Sequence, residues 1–192
     1  MILQNMVEMI QESFPNMTLV EAKLHLNNAQ KFFTRKTKCL LTDASVLLTD
    51  FLNGRALLDE SIESVKSVGF VDGSGVLVEA AGWHYEIEDR YLYLWDDAGE
   101  PVTVFPSMAT AVRVRAVLIP ILLTNLDQAP IFPEEFHDAL VWKVLEDRAI
   151  VKKEFELAKA AGQKFAQKII EGIRYANKEA DGTLHPWFSR RG

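Results

Sequence analysis

The spacing of apolar residues changes twice along the 192-residue chain, and this change restricts the folds that the chain can adopt. Residues 1–45 carry apolar side chains at helical spacing, and Thr18 with Glu21 fits a capping box at the start of a helix. Within residues 46–120, apolar and polar residues alternate with a period of two, which is typical of β-strands. Residues 131–178 return to the helical period. The pattern therefore predicts helices at both ends of the chain and strands between them.

We expect an α+β fold in which the N- and C-terminal helices form a bundle that carries an inserted antiparallel β-rich region. No Pro/Gly/Ser-rich linker separates the zones, which favours one compact unit. Within the β region, Asn53-Gly54 predicts a hairpin between residues 46–52 and 55–58, and the short connections favour a meander. A further strand is expected at residues 102–105. Residues 179–192 are expected to form an extended C-terminal tail.

The third zone contains two predicted helices with a break between them. Lys152-Lys153 marks the expected break, and Phe155, Gly162 and Gly172 belong to an apolar stripe with small members in the second helix. Small residues let another backbone approach closely. The approaching helix is either one from the same chain or one from a neighbouring subunit.

Composition limits the kinds of partner that the chain can have. The formal net charge is −6, and this argues against a protein that grips nucleic acid through its phosphates, since that task needs a basic face. The single cysteine, Cys39, cannot form an internal disulfide, and we interpret it as a packing residue. The apolar run 116–123 is too short to span a bilayer, and no leader sequence is visible. We therefore expect a protein without membrane contact that works in the cytoplasm or in an assembly built there.

The histidines do not form a recognisable catalytic or metal-binding pattern. Glu134 and His137 have the spacing of half a di-iron helix motif, but no other histidine follows a carboxylate by three residues. An ordinary helix start explains this pair better. We predict no catalytic residue, no metal ligand and no cofactor. A small metal-dependent hydrolase built around His137 and His84 remains an alternative.

A run of aromatic residues in the β region has two interpretations. It consists of Trp83, Tyr85, Tyr91, Tyr93 and Trp95. These side chains either form cross-strand aromatic pairs or form a stacking platform for sugars or bases. The neighbouring carboxylates would repel a phosphate backbone. A ligand-binding β module, for example one for carbohydrate, is therefore an alternative function.

Several motifs, in their order, resemble one protein family. Residues 132–141, Phe-Pro-Glu-Glu-Phe-His-Asp-Ala-Leu-Val, resemble a helix start found in the adaptor (head-to-tail connector) proteins of tailed bacteriophages. Residues 156–158 resemble the opening of the family's long final helix. Residues 29–37, an apolar helix ending in an aromatic–basic–Thr stretch, and residues 51–56 also match its layout. The resemblance covers about Thr18 to Ala176.

The resemblance implies a structural protein of the virion. Adaptor proteins form a ring of identical subunits, usually a dodecamer, that docks on the portal protein and joins the DNA-filled head to a tail or nozzle protein. The ring extends the channel through which DNA passes without specific binding. The implied location is the neck of the virion, after assembly in the host cytoplasm. Another neck component, such as a stopper or tail-completion protein, is the closest alternative.

The C-terminal tail carries the predicted portal-docking residues. It combines aromatic and apolar side chains with arginines, a composition that is enriched at interface hot spots. The alternative is a frayed terminus. The predicted docking residues are Leu184, Trp187, Phe188, Arg190 and Arg191.

Overall fold

The structure is a computed structural model that describes residues 1–78, 82–181 and 189–190, with side chains up to Lys178. The chain divides into two units. The helical unit comprises Met1–Leu40 and Ile119–Glu179. The β unit comprises Leu41–Leu118 and the C-terminal residues described beyond Glu179. The predicted α+β class is confirmed.

The helical unit contains four α-helices. They are α1 (Leu3–Ser13), α2 (Leu19–Thr37), α3 (His137–Lys152) and α4 (Phe155–Asp181), and a short 3₁₀ turn, Glu134–Phe136, precedes α3. Within the described part of the chain, no helix combines the length and the apolar character that a membrane span requires.

Helix α2 begins at a cap that its local sequence predicts, and it ends at a residue with left-handed φ. The Glu21 amide donates to the Thr18 hydroxyl, while the Thr18 amide donates to the Glu21 carboxylate, so the predicted capping box is confirmed. The helix ends where Lys38 adopts a left-handed conformation, with φ of 57°. Its apolar stripe is buried at Leu26 and Phe33.

The break between α3 and α4 lies at the predicted position. Lys153 has a left-handed φ of 63°, and its amide donates to the carbonyl groups of Ala149 and Ile150 at the end of α3. The expectation that Phe155 packs inward is wrong, because this side chain is 70% exposed. It is the first residue of α4, directly after the chain reversal, whereas buried positions begin at Ala158.

The β unit contains two small sheets. Its strands are β1 (Leu41–Leu47), β2 (Arg55–Leu57), β3 (Ile62–Val71), β4 (His84–Glu88), β5 (Tyr91–Trp95), β6 (Ala111–Leu118) and β7 (Ser189–Arg190). The first sheet is antiparallel with strand order β1-β6-β3. In the second sheet β2, β5 and β4 are antiparallel, and the two-residue β7 pairs with β4 in parallel. The described residues form no closed barrel.

The strand pairing differs from the predicted meander. Strand β6 lies between β1 and β3, although both of these strands precede it by many residues. Residues 112, 114 and 116 of β6 are fully buried, so the most apolar strand takes the central position, where it is covered most completely. Strand β1 also starts at Leu41 rather than at residue 46, so the helical zone ends earlier than 45.

The predicted hairpin at Asn53-Gly54 is correct only at its turn. Both turn residues have positive φ, and Leu52 and Arg55 exchange backbone hydrogen bonds of 2.8 and 3.2 Å. The flanking residues do not pair further, because residues 48–50 form a 3₁₀ turn and β2 pairs with β5. The chain therefore changes from one sheet to the other at this point.

The strand expected at residues 102–105 does not form. The Val102 amide donates to the Leu94 carbonyl, but the chain then leaves the sheet. Phe105 packs against Phe51 and Phe70, with ring centroids 5.7 and 6.0 Å away. Burial of an aromatic ring in the core outweighs further ladder hydrogen bonds here.

Candidate protein interfaces

The aromatic run is divided between the two faces of the second sheet. Tyr85 is buried and shares the inner face with Leu92 and Leu94. Because side chains alternate along a strand, Tyr91, Tyr93 and Trp95 lie on the outer face. The prediction of one continuous aromatic platform is therefore wrong, and so is the prediction of cross-strand aromatic pairs.

The outer face of this sheet combines aromatic rings with carboxylates. The strand register places Leu57, Tyr91 and Glu88 in one row across the three strands. Arg55, Tyr93 and Glu86 form the next row, and Trp95 stands opposite His84. We call the set Arg55, Leu57, Glu86, Glu88, Tyr91, Tyr93 and Trp95 the aromatic face.

The rings of the aromatic face pack against each other. Tyr93 and Trp95 are nearly parallel, with an interplanar angle of 8° and centroids 6.0 Å apart, which lies in the range of offset stacking. The Arg55 guanidinium lies 5.1 Å from the centroid of Tyr91. Ring area that already faces a neighbour does not stack on a sugar. The geometry therefore favours a protein surface over a carbohydrate platform.

Glu134 and His137 hold the first residue of the chain. The Met1 amine donates to the Glu134 carboxylate at 2.6 Å, and this bond, with the positive charge of the amine, lowers the pKa of Glu134. Nε2 of His137 donates to the Phe132 carbonyl at 2.8 Å, while Nδ1 lies 3.1 Å from the amine. His84 belongs to the β unit and lies 3.3 Å from Asp97. Across the described residues, no three His, Cys, Asp or Glu side chains are grouped so that they could hold a metal ion.

The segment 119–133 connects β6 to α3 without helix or strand of its own, and we call it the connecting segment. Polar side chains of α2 hold its backbone. Gln30 donates to the Ile121 carbonyl at 2.7 Å. Asn27 makes two bonds to Leu123, donating to its carbonyl at 3.1 Å and accepting from its amide at 2.7 Å.

The connecting segment also completes the start of α1. This helix has no side-chain cap. Its first amides instead donate to the segment, from Leu3 to the Gln128 carbonyl at 2.8 Å and from Gln4 to the Leu126 carbonyl at 2.9 Å. Helix amides that would otherwise lack partners thus fix the backbone of the connecting segment.

With its backbone bonded inward, the connecting segment turns apolar side chains outward. Ile121 is 61% exposed and Leu122 is 49% exposed, and Leu126 is exposed as well. Val20 and Leu24 are also exposed. They lie one turn apart on the side of α2 that carries Asn27, which binds the segment. We call Val20, Leu24, Ile121, Leu122 and Leu126 the segment surface. Grouped exposed apolar residues of this kind mark interaction sites.

Sequence reasoning did not identify the segment surface. Its signal in the sequence is the apolar run 116–123, which is too short for a membrane span and does not by itself indicate an exposed surface. The run divides into a buried strand end and an exposed loop. That division depends on Asn27 and Gln30, which lie more than 90 positions away in sequence.

The small residues of α4 face the same chain. A Cβ atom added at Gly172 would lie 2.7 Å from Cγ2 of Thr37, so this glycine allows α4 to approach the end of α2. At Gly162 an added Cβ would meet the end of the Glu146 side chain. The alternative left open by the sequence is therefore resolved in favour of an intramolecular helix contact at these two glycines.

The predicted portal-docking residues lie mostly outside the described part of the chain. Leu184, Trp187, Phe188 and Arg191 are not among the described residues. Arg190 is described through its backbone, which pairs with Tyr85 where β7 lies beside β4. Portal docking by these residues stays a prediction.

Comparison with known proteins does not assign a family. No family model matches the chain, and no curated protein matches it.

Proposed function

We propose that this chain is a structural adaptor of a tailed bacteriophage. Copies of the chain form a ring, usually of twelve subunits in the family that it resembles. The ring docks on the portal protein, joins the DNA-filled head to a tail or nozzle protein and extends the DNA channel. Its place is the neck of the virion, after assembly in the host cytoplasm.

The segment surface carries this proposal. The backbone groups of the connecting segment already bond to α1 and α2, yet Ile121 is 61% exposed and Leu122 is 49% exposed. Because each of these side chains is already partly buried, a partner that covers one of them contributes about 1 kcal/mol. A partner protein that covers Ile121 and Leu122 therefore provides the stabilisation that the isolated subunit lacks.

The presence of a second, different surface suits a ring. A subunit of a ring that also docks on a portal needs separate faces for its neighbours and for the portal. The segment surface belongs to the helical unit and is aliphatic, whereas the aromatic face belongs to the β unit and is aromatic and acidic. The two surfaces therefore support different partners.

The charge of the chain suits passage of DNA. The β unit carries 7 Lys and Arg against 14 Asp and Glu, a formal net charge of −7. A wall of this sign repels phosphate and does not hold DNA in a channel. The family resemblance at residues 132–141 supplies the particular role, which the surfaces alone do not specify.

The test is reconstitution with the portal protein encoded in the same genome. Purified chain is mixed with portal rings and examined by electron microscopy. We expect a second ring on the portal with wild-type protein. The variant Ile121→Ser with Leu122→Ser keeps its helical circular dichroism but forms no such ring, whereas the control Val104→Ser, also highly exposed but in the β unit, assembles normally.

Three outcomes would contradict the argument. Wild-type protein that never binds portal rings refutes the adaptor function. A ring that forms only on the portal-distal side of an adaptor already in place indicates a stopper or tail-completion protein instead. Normal assembly of the Ile121→Ser, Leu122→Ser variant removes the segment surface from the interface. Deletion of residues 184–192 is expected to leave the fold intact and to abolish docking in the same assay.

A further inference from the structure

We propose that neighbouring copies of this chain meet where the outer side of α4 from one copy docks on the aromatic face of the next. The inference rests on the proposed function, because it names two surfaces at which subunits of the ring make contact. The occupant of the aromatic face is thus a second copy of the chain. The argument depends on charge, on length and on which ionic groups lack partners.

The two units of the chain carry opposite charge. The helical unit has 14 Lys and Arg against 13 Asp and Glu, a net charge of +1, whereas the β unit has a net charge of −7, which together give the −6 of the chain. Such segregation within one subunit favours contact between unlike units of neighbouring copies, and it disfavours contact between two β units.

The outer side of α4 concentrates unpaired cations around an apolar residue. Lys159, Ile170, Arg174 and Lys178 lie within an arc of about 100° around the helix, on the side opposite the buried residues. We call these four residues the α4 outer face. Its three cations make no ion pair within the described residues. Glu156 lies on the same arc, which leaves a net charge of +2.

The aromatic face offers the complementary groups. Glu86 and Glu88 are exposed and make no ion pair within the part of the chain that the structure describes. They stand beside Tyr93 and Tyr91, whose rings attract cations. Leu57, which is exposed in the same rows, offers an apolar contact. Among the described residues of these rows, the one Lys or Arg is Arg55, which lies over the Tyr91 ring.

The two surfaces also match in length. Ile170, Arg174 and Lys178 follow one another at intervals of one turn, and eight residues of helix extend about 12 Å. The strand from Tyr91 to Trp95 extends about 13 Å. Arg174 and Lys178 are therefore about as far apart as Glu86 and Glu88. When these two pairs meet, Ile170 lies at the end of the face that Trp95 forms.

A contact of this kind is heterologous and can be repeated. Each copy uses its α4 outer face toward one neighbour and its aromatic face toward the other. Neither surface is complementary to itself, since two α4 outer faces repel each other and so do two pairs of Glu86 and Glu88. Repetition of this contact from copy to copy gives a ring where the rotation between copies closes, and an open filament where it does not.

The test is a charge reversal with rescue, followed by sedimentation velocity at low salt over a range of protein concentrations. One variant carries Arg174→Glu and Lys178→Glu, and a second carries Glu86→Lys and Glu88→Lys. We expect each to weaken self-association at least about tenfold, because attractive pairs become repulsive. A third variant with all four substitutions recovers wild-type association.

A matched control separates contact from net charge. The variant Lys31→Glu with Lys152→Glu changes the net charge by the same amount as Arg174→Glu with Lys178→Glu, at exposed positions outside the α4 outer face. It is expected to associate like wild type. Association that is unchanged in the reversed variants, no recovery in the combined variant, or no self-association of wild-type protein overturns the inference.

The portal assay then distinguishes this inference from the proposed function. Rings that the two reversed variants form on portal as readily as wild type refute the contact and leave the adaptor function standing. Reversal and rescue in solution, without any ring on portal from any variant, support the contact and refute the adaptor function.

Discussion

Substitution of Gly172 by alanine should destabilise the helical unit, although alanine is the better helix former. Gly172 lies inside α4, and an added Cβ would meet Cγ2 of Thr37 at 2.7 Å, Cβ of Thr37 at 3.0 Å and Cζ of Phe33 at 3.1 Å. Both neighbouring side chains are almost completely buried, and the Thr37 hydroxyl donates to the Phe33 carbonyl at 2.9 Å, which holds Cγ2 of Thr37 in place. Two effects of opposite sign therefore compete at this position.

The magnitude follows from the two effects. Replacement of glycine by alanine within a helix stabilises by about 0.5–1 kcal/mol. Overpacking of a well-filled core costs about 1–3 kcal/mol. Because Thr37 and Phe33 are buried and Thr37 is held by a hydrogen bond, we expect the cost to be the larger effect and Gly172→Ala to lower the free energy of unfolding by about 1–2 kcal/mol.

Gly162 provides the matched control in the same helix. An added Cβ there would lie 2.7 Å from Oε1 of Glu146, the far end of a flexible side chain that can move aside. Lys143, which binds Glu146, keeps its second partner Asp147 at 2.9 Å. We expect Gly162→Ala to stabilise the protein by about 0.5 kcal/mol from helix propensity.

Urea unfolding followed by circular dichroism at the helical band measures both variants against wild type. The expected order of stability is Gly162→Ala above wild type and wild type above Gly172→Ala. If Gly172→Ala proves as stable as wild type or more stable, then α4 does not approach α2 as closely as the distances state, and the packing argument is refuted.

Three further predictions concern single side chains. Thr18→Ala should cost about 1 kcal/mol at neutral pH. Hydrogen bonds from the backbone and hydroxyl of Thr18 lower the pKa of Glu21. The part of the effect that comes from these two bonds is complete above the unfolded pKa and is lost as the pH falls through the folded pKa, whereas the bond from the Glu21 amide to the Thr18 hydroxyl remains; equal effects of Thr18→Ala at pH 7 and in acid would contradict the assignment. Asn27→Ala should speed amide exchange in the connecting segment and destabilise by about 1–2 kcal/mol, whereas the exposed Asn28→Ala should do neither. Burial raises the pKa of the Cys39 thiol, so it should react with a thiol reagent only after unfolding, and rapid labelling of the folded protein would contradict this.

The features that sequence predicted correctly are those formed by residues close together in the chain. The capping box joins Thr18 and Glu21, three positions apart. The turn at Asn53-Gly54 relies on residues that tolerate positive φ, and the predicted break at Lys152-Lys153 falls where Lys153 has a left-handed φ. Each of these needs only a few neighbours, so local sequence contains the necessary information.

The candidate interfaces depend on partners that sequence does not reveal. In the sequence, the aromatic run forms one continuous set. Its division between the two faces of the sheet follows from the burial of Leu92 and Leu94, because this burial turns the alternate residues of β5 outward. The segment surface exists because Asn27 bonds to Leu123, 96 positions away. Neither pairing has a local signal.

By itself, the sequence determined the order of the helical and strand zones, how α2 starts, where α3 ends and where the chain turns at Asn53-Gly54. Only the tertiary structure decided which strand takes the centre of a sheet and which apolar residues remain outside. The physical reason is that helical and strand periods arise from backbone geometry within a few residues, whereas burial is a competition among all parts of the chain for a limited interior. Residues such as Ile121 and Tyr93 are as apolar or aromatic as those of the core, and only packing assigns them to the surface where a partner can meet them.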